Sequence, residues 1–371
     1  MSSKTYSSSP GIWRSVGWAM AASPAAGGSR VGFALHTLWS VLTHPSSLSR
    51  WMTVVHEMHG RGLAPDLPSE FLRALRPHVN RGTGVAARCN QLIDHFDWLE
   101  TAFYPSSLRN LMEQGGIDLI DLPAPGGYGA LKLRLRRAAT NSPEGELLLC
   151  LTLHRDLSTR ADAGIDVAVI AFSCFRVKGK PCLVIGGLRG QRDTSLRLSP
   201  TELAQALQGW KPAVLMVRVT QELSVFWGLG LVGLDPAAHS VGGWRKQLNS
   251  RNREMVQRIG QSYRILWEHF AAQPGPDGWV ALPSQSDDNL AAVAQSPEKR
   301  ARQIRRADYW IRTANMLRTE FHMLLQRSDP VERMGRMTVA HTMQGEFSGY
   351  TGNASEFSAS SVLDTGPGTL L

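Results

Sequence analysis

The feature that most constrains the fold is a change in the spacing of apolar residues near residue 117. From Val31 to Met112, large apolar residues recur every three or four positions, as is typical of amphipathic helices. From Ile117 onward the apolar runs are short and typical of strands. Consecutive runs of this kind are Ile117–Leu122, Leu131–Arg136, Glu146–Leu153, Ile165–Phe175 and Cys182–Gly187. The short links between them favour an antiparallel meander.

Beyond Gly187 the pattern alternates between helix and strand. The expected helices are Thr201–Trp210, Pro212–Trp227, Val256–Phe270 and Lys299–Leu325, and the expected strands are Gly230–Leu234 and Gly278–Pro283. Together these patterns predict an α+β fold, with an N-terminal helical layer followed by a mostly antiparallel mixed sheet flanked by helices. The predicted division is a disordered segment (1–30), a helical region (31–115), an α/β domain (116–326) and a flexible tail (327–371).

The charge balance indicates an anionic partner. The chain has 40 Lys+Arg against 31 Asp+Glu, a net charge of +9, which favours a nucleotide, CoA or a lipid headgroup. A membrane surface is a further candidate, whereas nucleic acid is disfavoured because the arginines are scattered and no binding motif is present. The basic last helix is expected to pack through one apolar stripe and to expose its arginines. That stripe is Ile304, Tyr309, Ile311, Met316 and Leu317.

The cysteines and the N-terminus indicate a reducing compartment. The four cysteines form no CxxC pair, so buried free thiols are expected rather than disulfides or a metal site. The first 30 residues do not resemble a signal peptide, which predicts a cytoplasmic protein. His56 and His59 lack the spacing of an HExxH zinc motif, so no metal is expected there.

The most informative stretch for chemistry runs from Cys182 to Asp193. An apolar run ends at two glycines and is followed by an arginine-flanked segment. Such a turn between a strand and a helix leaves backbone N–H groups free to hold an anion. The predicted ligand-binding residues are Gly186, Gly187, Leu188, Arg189, Gly190, Gln191 and Arg192. The alternative is a tight turn at the end of a buried strand, with its arginines on the surface.

Three residues are candidates for proton transfer. His239 and Tyr263 lie downstream in polar surroundings, and Glu222 is a carboxylate on a predicted helix. An imidazole or carboxylate can accept a proton from an amine, and a phenol can donate one. The alternative is that these residues only make structural hydrogen bonds.

The chain resembles the bacterial VirK/YbjX family from about Val31 to Leu325. The strongest matches are Glu144-Gly145-Glu146-Leu147, Ile170-Ala171-Phe172 and the glycine segment Leu183–Gly190, in which Arg189 stands in place of the family's glutamine. Supporting matches are Arg88 with His95-Phe96, Leu207–Pro212, His239, Tyr263 with Trp267-Glu268, and Lys299-Arg300 with Arg305-Arg306. The resemblance implies a role in virulence, envelope integrity or resistance to cationic antimicrobial peptides.

The order of elements also resembles that of GNAT-type acyltransferases. Helices precede a four-strand meander that ends at the glycine segment, and a helix, a strand, a helix and a final strand follow. In that fold the turn after the fourth strand holds the CoA pyrophosphate. The hypothesis is a GNAT-like N-acyltransferase that transfers an acyl group to an amine or peptide. Acyl-CoA would be its cosubstrate, and no resident cofactor is expected. The alternative is a non-catalytic binding or chaperone-like protein of the envelope.

Overall fold

The computed structural model describes eight stretches of the chain. They are residues 12–21, 29–113, 116–124, 128–154, 164–190, 200–239, 250–284 and 296–324. Helices α1 to α6 precede the sheet, and α7 to α10 follow its fifth strand. The helices are α1 (Ile12–Ala21), α2 (Arg30–Thr43), α3 (Pro45–Gly60), α4 (Leu67–Arg73), α5 (Val85–Ala102), α6 (Pro105–Glu113), α7 (Pro200–Ala206), α8 (Pro212–Phe226), α9 (Ser250–His269) and α10 (Pro297–Leu324).

The strands of these stretches form one mixed sheet. They are β1 (Ile117–Leu122), β2 (Ala130–Arg137), β3 (Leu147–His154), β4 (Ile165–Val177), β5 (Lys180–Gly190), β6 (Gly230–Leu234), β7 (Gln273–Pro274) and β8 (Trp279–Leu282). Their order is β1-β2-β3-β4-β5-β6-β8-β7. Strands β1 to β5 are an antiparallel meander, β5 and β6 are parallel, and β8 is antiparallel to β6 and β7. The predicted α+β class, with a mostly antiparallel mixed sheet, is therefore confirmed.

Alternation along β2 explains why this segment is a strand. Leu131, Leu133 and Leu135 are completely buried, whereas the basic residues between them are half-buried. A period of two places these sets on opposite faces of the sheet. Acidic residues balance the basic face, because Asp118 of β1 lies 2.5 Å from Arg134 and 3.1 Å from Lys132. The basic face is thus compensated within the sheet.

Helix α5 covers an edge of β4. The pairing of β3 with β4 ends at Phe172, and β4 continues to Val177. The N–H of Cys174 donates to His95 Nδ1 at 3.1 Å, and the N–H of Arg176 donates to the Asp94 carboxylate at 3.1 Å. An edge amide without an acceptor would be costly to bury, so α5 both satisfies this edge and fixes the helical layer against the sheet.

The helical layer and the sheet share one hydrophobic core. Trp51 of α3, Phe96 of α5, Leu149 of β3 and Leu215 of α8 belong to the same buried cluster. The Trp51 indole satisfies its N–H by donating to the Phe71 carbonyl at 3.1 Å. All four cysteines are buried and free, as predicted.

The glycine segment differs from the sequence prediction in two ways. It was expected to end the fourth strand of the meander, but it lies in the fifth strand. It was also expected to form a turn, but Gly186 to Gly190 are part of β5 and continue to pair with β4 as far as Ala168. The two glycines suggested that the strand ends there. They are instead required because the segment at Glu144 lies very close to the strand.

Two helices also differ from expectation. Residues 12–21 form α1, with Ser15 and Ala19 buried, although the composition favoured disorder there. In α10, Tyr309 and Leu317 are buried as predicted. The other three expected stripe residues, Ile304, Ile311 and Met316, are exposed, and Thr313, Ala314 and Phe321 take their places in the packed face. The packed stripe of α10 is thus shifted around the helix.

The described residues include neither a membrane-spanning helix nor a metal-binding cluster. Over the described stretches, no helix has the length and apolar character needed to cross a bilayer. The same stretches contain no group of three or more His, Cys, Asp or Glu side chains arranged to hold a metal ion. His56 and His59 instead contact the carbonyl oxygens of Met52 and Ala64 through their Nδ1 atoms.

Candidate functional site at the end of strand β5

The site begins where β5 and β6 part. They are paired in parallel from Cys182 with Gly230 to Ile185 with Gly233. Strand β5 continues to Gly190, and its last residues pair with β4 alone among the described strands. The N–H of Leu188, beyond the point of parting, donates to the Tyr263 hydroxyl at 2.5 Å. A side chain of α9 therefore occupies the position that a neighbouring strand would take.

A β-bulge at Gly186 shapes this end of the strand. Phe172 of β4 is opposite Ile185 and Ala171 is opposite Gly187, so Gly186 has no partner in the ladder. A Cβ atom at Gly187 would lie 2.7 Å from Glu144 Oε2, and one at Gly186 would overlap the Glu144 carbonyl oxygen. Only glycine allows the Glu144 segment to lie this close. The two glycines thus make room for an acidic side chain on the strand.

Glu144 and Arg189 form an ion pair over the strand end. Glu144 Oε2 lies 3.0 Å from Arg189 Nε, and the Arg189 side chain is 29% exposed. A guanidinium has several donors, and this contact uses one of them. The partly exposed side chain gives Arg189 access to solvent as well as to Glu144.

Tyr263 lies where β5 and β6 part, and aromatic rings hold it in place. It is buried, and its ring packs edge-on against His239 at 5.8 Å and against Trp267 at 5.7 Å between centroids. Burial raises the pKa of Tyr263 above its ordinary value, and the nearby Glu144 carboxylate acts in the same direction. The hydroxyl is therefore protonated at neutral pH.

His239 is positioned by a chain segment from the helical layer. It follows a short 3₁₀ turn at Pro236–Ala238 and forms an antiparallel bridge with Asn80. The Asn80 amide donates to the Asp277 carbonyl at 2.8 Å. His239 is buried at this junction. Three separate parts of the chain thus bring His239 to Tyr263.

The structure brings most of the predicted site residues together. Gly186 to Gly190 provide the strand, Tyr263 contacts it, and His239 contacts Tyr263. Gln191 and Arg192 lie outside the described residues. Glu222 is on α8 and is not part of this group, because its two carboxylate oxygens accept hydrogen bonds from Arg318 at 2.9 and 3.0 Å.

Two residues of the site were not predicted as site residues. Glu144 was noted only within the family-like segment, and Asn80 was not noted. The signal for Glu144 was the pair of glycines, which indicated that something approaches the strand closely. The sequence alone did not indicate what approaches, because Glu144 is more than 40 residues away along the chain.

A second charged group lies nearby, in the interior. The Arg73 guanidinium of α4 contacts Glu146 and lies 3.4 Å from Glu70, which also contacts Arg137. His78 Nδ1 lies 3.7 Å from Glu146 Oε1. Burial, reinforced by Arg73 and Arg88, lowers the pKa of His78 to about 3, so this last contact is not an ion pair at neutral pH. These five side chains are called the interior charge cluster below.

The best-defined cavity lies away from the strand end. It has a volume of about 400 Å³ and lies between the end of β1 and α10, with Asp121, Arg305, Asp308 and Arg312 among its lining residues. Strand β1 is at the edge of the sheet, four strands away from β5. The cavity contains none of the predicted site residues, and its charges are of both signs.

Comparison with known protein families assigns the chain to one of them. Residues 28–314 match the family model described as "Protein of unknown function (DUF535)". The chain belongs to the DUF535 family. This is the VirK/YbjX family that the glycine segment and its neighbours resemble, so that prediction is confirmed. No curated protein and no solved structure matches this DUF535 chain, so its likeness to GNAT-type acyltransferases stays a prediction.

Proposed function

We propose that this DUF535 protein is an N-acyltransferase that binds a phosphate-bearing acyl donor, such as acyl-CoA, along the end of β5. The observation that carries the proposal is the parting of β5 from β6 after Ile185, with Tyr263 placed at the opening. Tyr263 takes the Leu188 N–H, and beside it an extended ligand with amide groups can hydrogen-bond to the remainder of this strand edge as an added strand would. The pantetheine arm of CoA is a ligand of this kind.

The connection between β5 and β6 supports the proposal. Parallel neighbours need a crossover, and here the crossover contains α7 and α8. Helix α9 then leads through the two-residue strand β7 to β8, which is antiparallel to β6 and β7. Apart from β7, the succession of a strand, helices, a parallel strand, a helix and an antiparallel strand is the order that the GNAT-type interpretation expects after the glycine segment.

Arg189 is the proposed contact for the donor's phosphates. A guanidinium binds phosphate oxygens through paired hydrogen bonds. Arg189 is half-buried and held by Glu144, so it is oriented before a ligand arrives. Arg192 follows Arg189 three residues later in the sequence and adds positive charge to this segment.

Tyr263 and His239 are assigned the proton transfers. The amine nitrogen of the acceptor attacks the thioester carbonyl carbon, and the C–S bond breaks. His239 takes the proton that the amine loses, and the Tyr263 hydroxyl gives a proton to the departing thiolate. A raised pKa makes the phenol a weaker acid, but it keeps the hydroxyl protonated until the thiolate departs, and the proton held by His239 then restores the Tyr263 hydroxyl. Glu222 is not required, since its carboxylate is held by Arg318.

The test is a thermal-shift and calorimetric titration with acetyl-CoA and longer acyl-CoAs. A donor that binds the folded state at a hundred times its Kd stabilises it by about 2.7 kcal/mol, and Arg189→Ala should remove most of the shift. Arg176→Ala is a matched control, because Arg176 is 27% exposed and pairs with Asp94 at 2.9 Å. It should keep the shift. No shift with any CoA ester at millimolar concentration would refute the proposal.

Release of free CoA separates an enzyme from a non-catalytic binding protein. With an acyl-CoA and a panel of amines or peptides, free thiol should appear and should depend on the acceptor. Tyr263→Phe should slow this release while retaining the thermal shift. Binding without any release of thiol would favour the alternative, a non-catalytic protein that supports the envelope.

A further inference from the structure

Helix α2 presents its large apolar side chains to solvent. Val31, Leu35, Trp39 and Leu42 are all exposed, and Trp39 is 68% exposed. Their spacing of four, four and three residues places them on one side of the helix. A helix that packs on a protein core normally buries such a stripe. These four residues are called the α2 stripe below.

The fully buried residues of α2 are small or polar. They are Ala34, Thr37 and Ser40. The Thr37 and Ser40 hydroxyls donate to carbonyl oxygens within the helix. Phe33 and Val41 pack on the core with part of their surface, but the α2 stripe does not. An exposed apolar stripe of this kind indicates an interaction surface.

The sequence segment that carries the α2 stripe has charges of one sign. No acidic residue precedes Glu57 in the sequence, whereas Lys4, Arg14, Arg30 and Arg50 are basic. Arg14, Arg30 and Arg50 are exposed on or beside the first three helices. An exposed apolar stripe in a basic segment complements a surface that is apolar and anionic.

We propose that helices α1 and α2 dock this protein on the surface of an anionic lipid bilayer, with the α2 stripe inserted among the headgroups. An apolar stripe with Trp, flanked by basic residues, is the composition of helices that lie in the membrane interface. A second copy of the chain fits less well, because stripe-to-stripe contact would bring Arg14, Arg30 and Arg50 towards their counterparts. The inference is independent of the proposed acyl transfer.

The test uses the full chain and vesicles in co-sedimentation. Vesicles of equal parts phosphatidylcholine and phosphatidylglycerol should bind the protein, and vesicles of phosphatidylcholine alone should bind it far more weakly. The double variant Leu35→Ser/Trp39→Ser should lose at least about tenfold in partitioning. Rising salt should weaken the binding of the unsubstituted protein, because the basic residues contribute to it.

Ile311→Ser is the matched control for the stripe. Ile311 is 56% exposed on α10 and Leu35 is 61% exposed on α2, so Ile311→Ser removes apolar surface similar to that of Leu35→Ser, and this single stripe variant is compared with it. Ile311→Ser should leave vesicle binding unchanged, and circular dichroism should show that both variants remain folded. Equal partitioning of the stripe variant and the control would overturn the proposal. So would a stripe-dependent dimer in sedimentation velocity together with no binding to anionic vesicles.

Discussion

Glu144 and Glu146 are two residues apart on one segment, yet they lie in opposite environments. Glu146 is 2% exposed and contacts Arg73, which is almost as deeply buried. Glu144 is 15% exposed and pairs with Arg189 at the open end of β5. The first belongs to the interior charge cluster and the second to the candidate site. The same residue type therefore serves two different purposes within three positions of the chain.

The difference in burial between these two ion pairs indicates which of them can bind a ligand. In the interior charge cluster each charge is enclosed by others, and separating a buried pair leaves one charge without compensation. The cluster connects α4 to the start of β3, so it joins the helical layer to the sheet. At the end of β5 Glu144 and Arg189 are 15% and 29% exposed, so water reaches the pair. An ion pair that water reaches is worth less to stability than an enclosed one. Arg189 can therefore exchange Glu144 for an anionic ligand at small cost.

The largest expected effect is the loss of Glu146. Glu146→Ala removes the closer of two carboxylates from the buried Arg73 and leaves it with Glu70 at 3.4 Å. We expect the free energy of unfolding to fall by about 3–5 kcal/mol. Glu144→Ala is the matched control and should cost about 0–1 kcal/mol. Urea denaturation of both variants measures the two values. Equal losses would show that the two carboxylates are not in different environments after all.

A double variant sharpens the same comparison. Arg73→Met combined with Glu146→Met removes both charges, and well-packed apolar replacements of a buried pair are often close to neutral. The double variant should therefore be more stable than Glu146→Ala. If it is no more stable, then shape rather than charge compensation determines the effect at this position.

The next effect in size concerns the glycines under Glu144. Gly186→Ala places a Cβ against the Glu144 carbonyl oxygen, and overpacking of this kind costs about 1–3 kcal/mol. Gly187→Ala meets the Glu144 side chain instead. A Cβ at position 187 would lie 2.8 Å from the Glu144 Cβ as well, so the relieving change must remove that atom too. Adding Glu144→Gly should therefore relieve Gly187→Ala but not Gly186→Ala. Thermal or urea unfolding of the four variants tests this, and equal relief of both glycine variants would contradict it.

The sheet could be predicted from the sequence, but the two charged groups could be predicted only in part. Alternation such as that of Leu131, Leu133 and Leu135 is a local signal, and it determines which face of a strand is buried. The glycine segment also gave a local signal, but that signal has two meanings. A glycine pair can end a strand, or it can allow another segment to approach one. Only the position of Glu144 in space distinguishes them.

The interior charge cluster had no signal in the sequence. Its members come from α4, the loop before α5, the end of β2 and the segment before β3. Nothing in the spacing of Glu70, Arg73, His78 and Glu146 distinguishes them from charged residues of a solvated surface. His239 and Tyr263 were predicted as candidates for proton transfer because they lie in polar surroundings, and each also matched a family segment. The contact between His239 and Tyr263 depends on the bridge between His239 and Asn80. No periodicity in the sequence predicts that bridge.

The smallest effect expected is a dependence of stability on pH that originates in the interior. Burial lowers the pKa of His78 to about 3 and that of His95 well below its usual value. In the unfolded chain both titrate near 6.5. Between pH 6.5 and 5.5 both histidines take up protons in the unfolded state but stay neutral in the folded state. Stability is therefore complete above pH 6.5 and should fall by up to about 1.4 kcal/mol per pH unit for each histidine.

His78→Asn should remove one histidine's share of this slope, and the free energy of unfolding at pH 5.5, 6.5 and 7.5 measures it. Arg189→Ala, at the end of β5, should leave the slope as it is, because no histidine of the interior charge cluster loses a contact there. Above pH 7 the slope from these histidines should vanish in every variant. The opposite result would be an unchanged slope in His78→Asn and a smaller slope in Arg189→Ala. The acid sensitivity of stability would then arise at the end of β5 and not in the interior charge cluster.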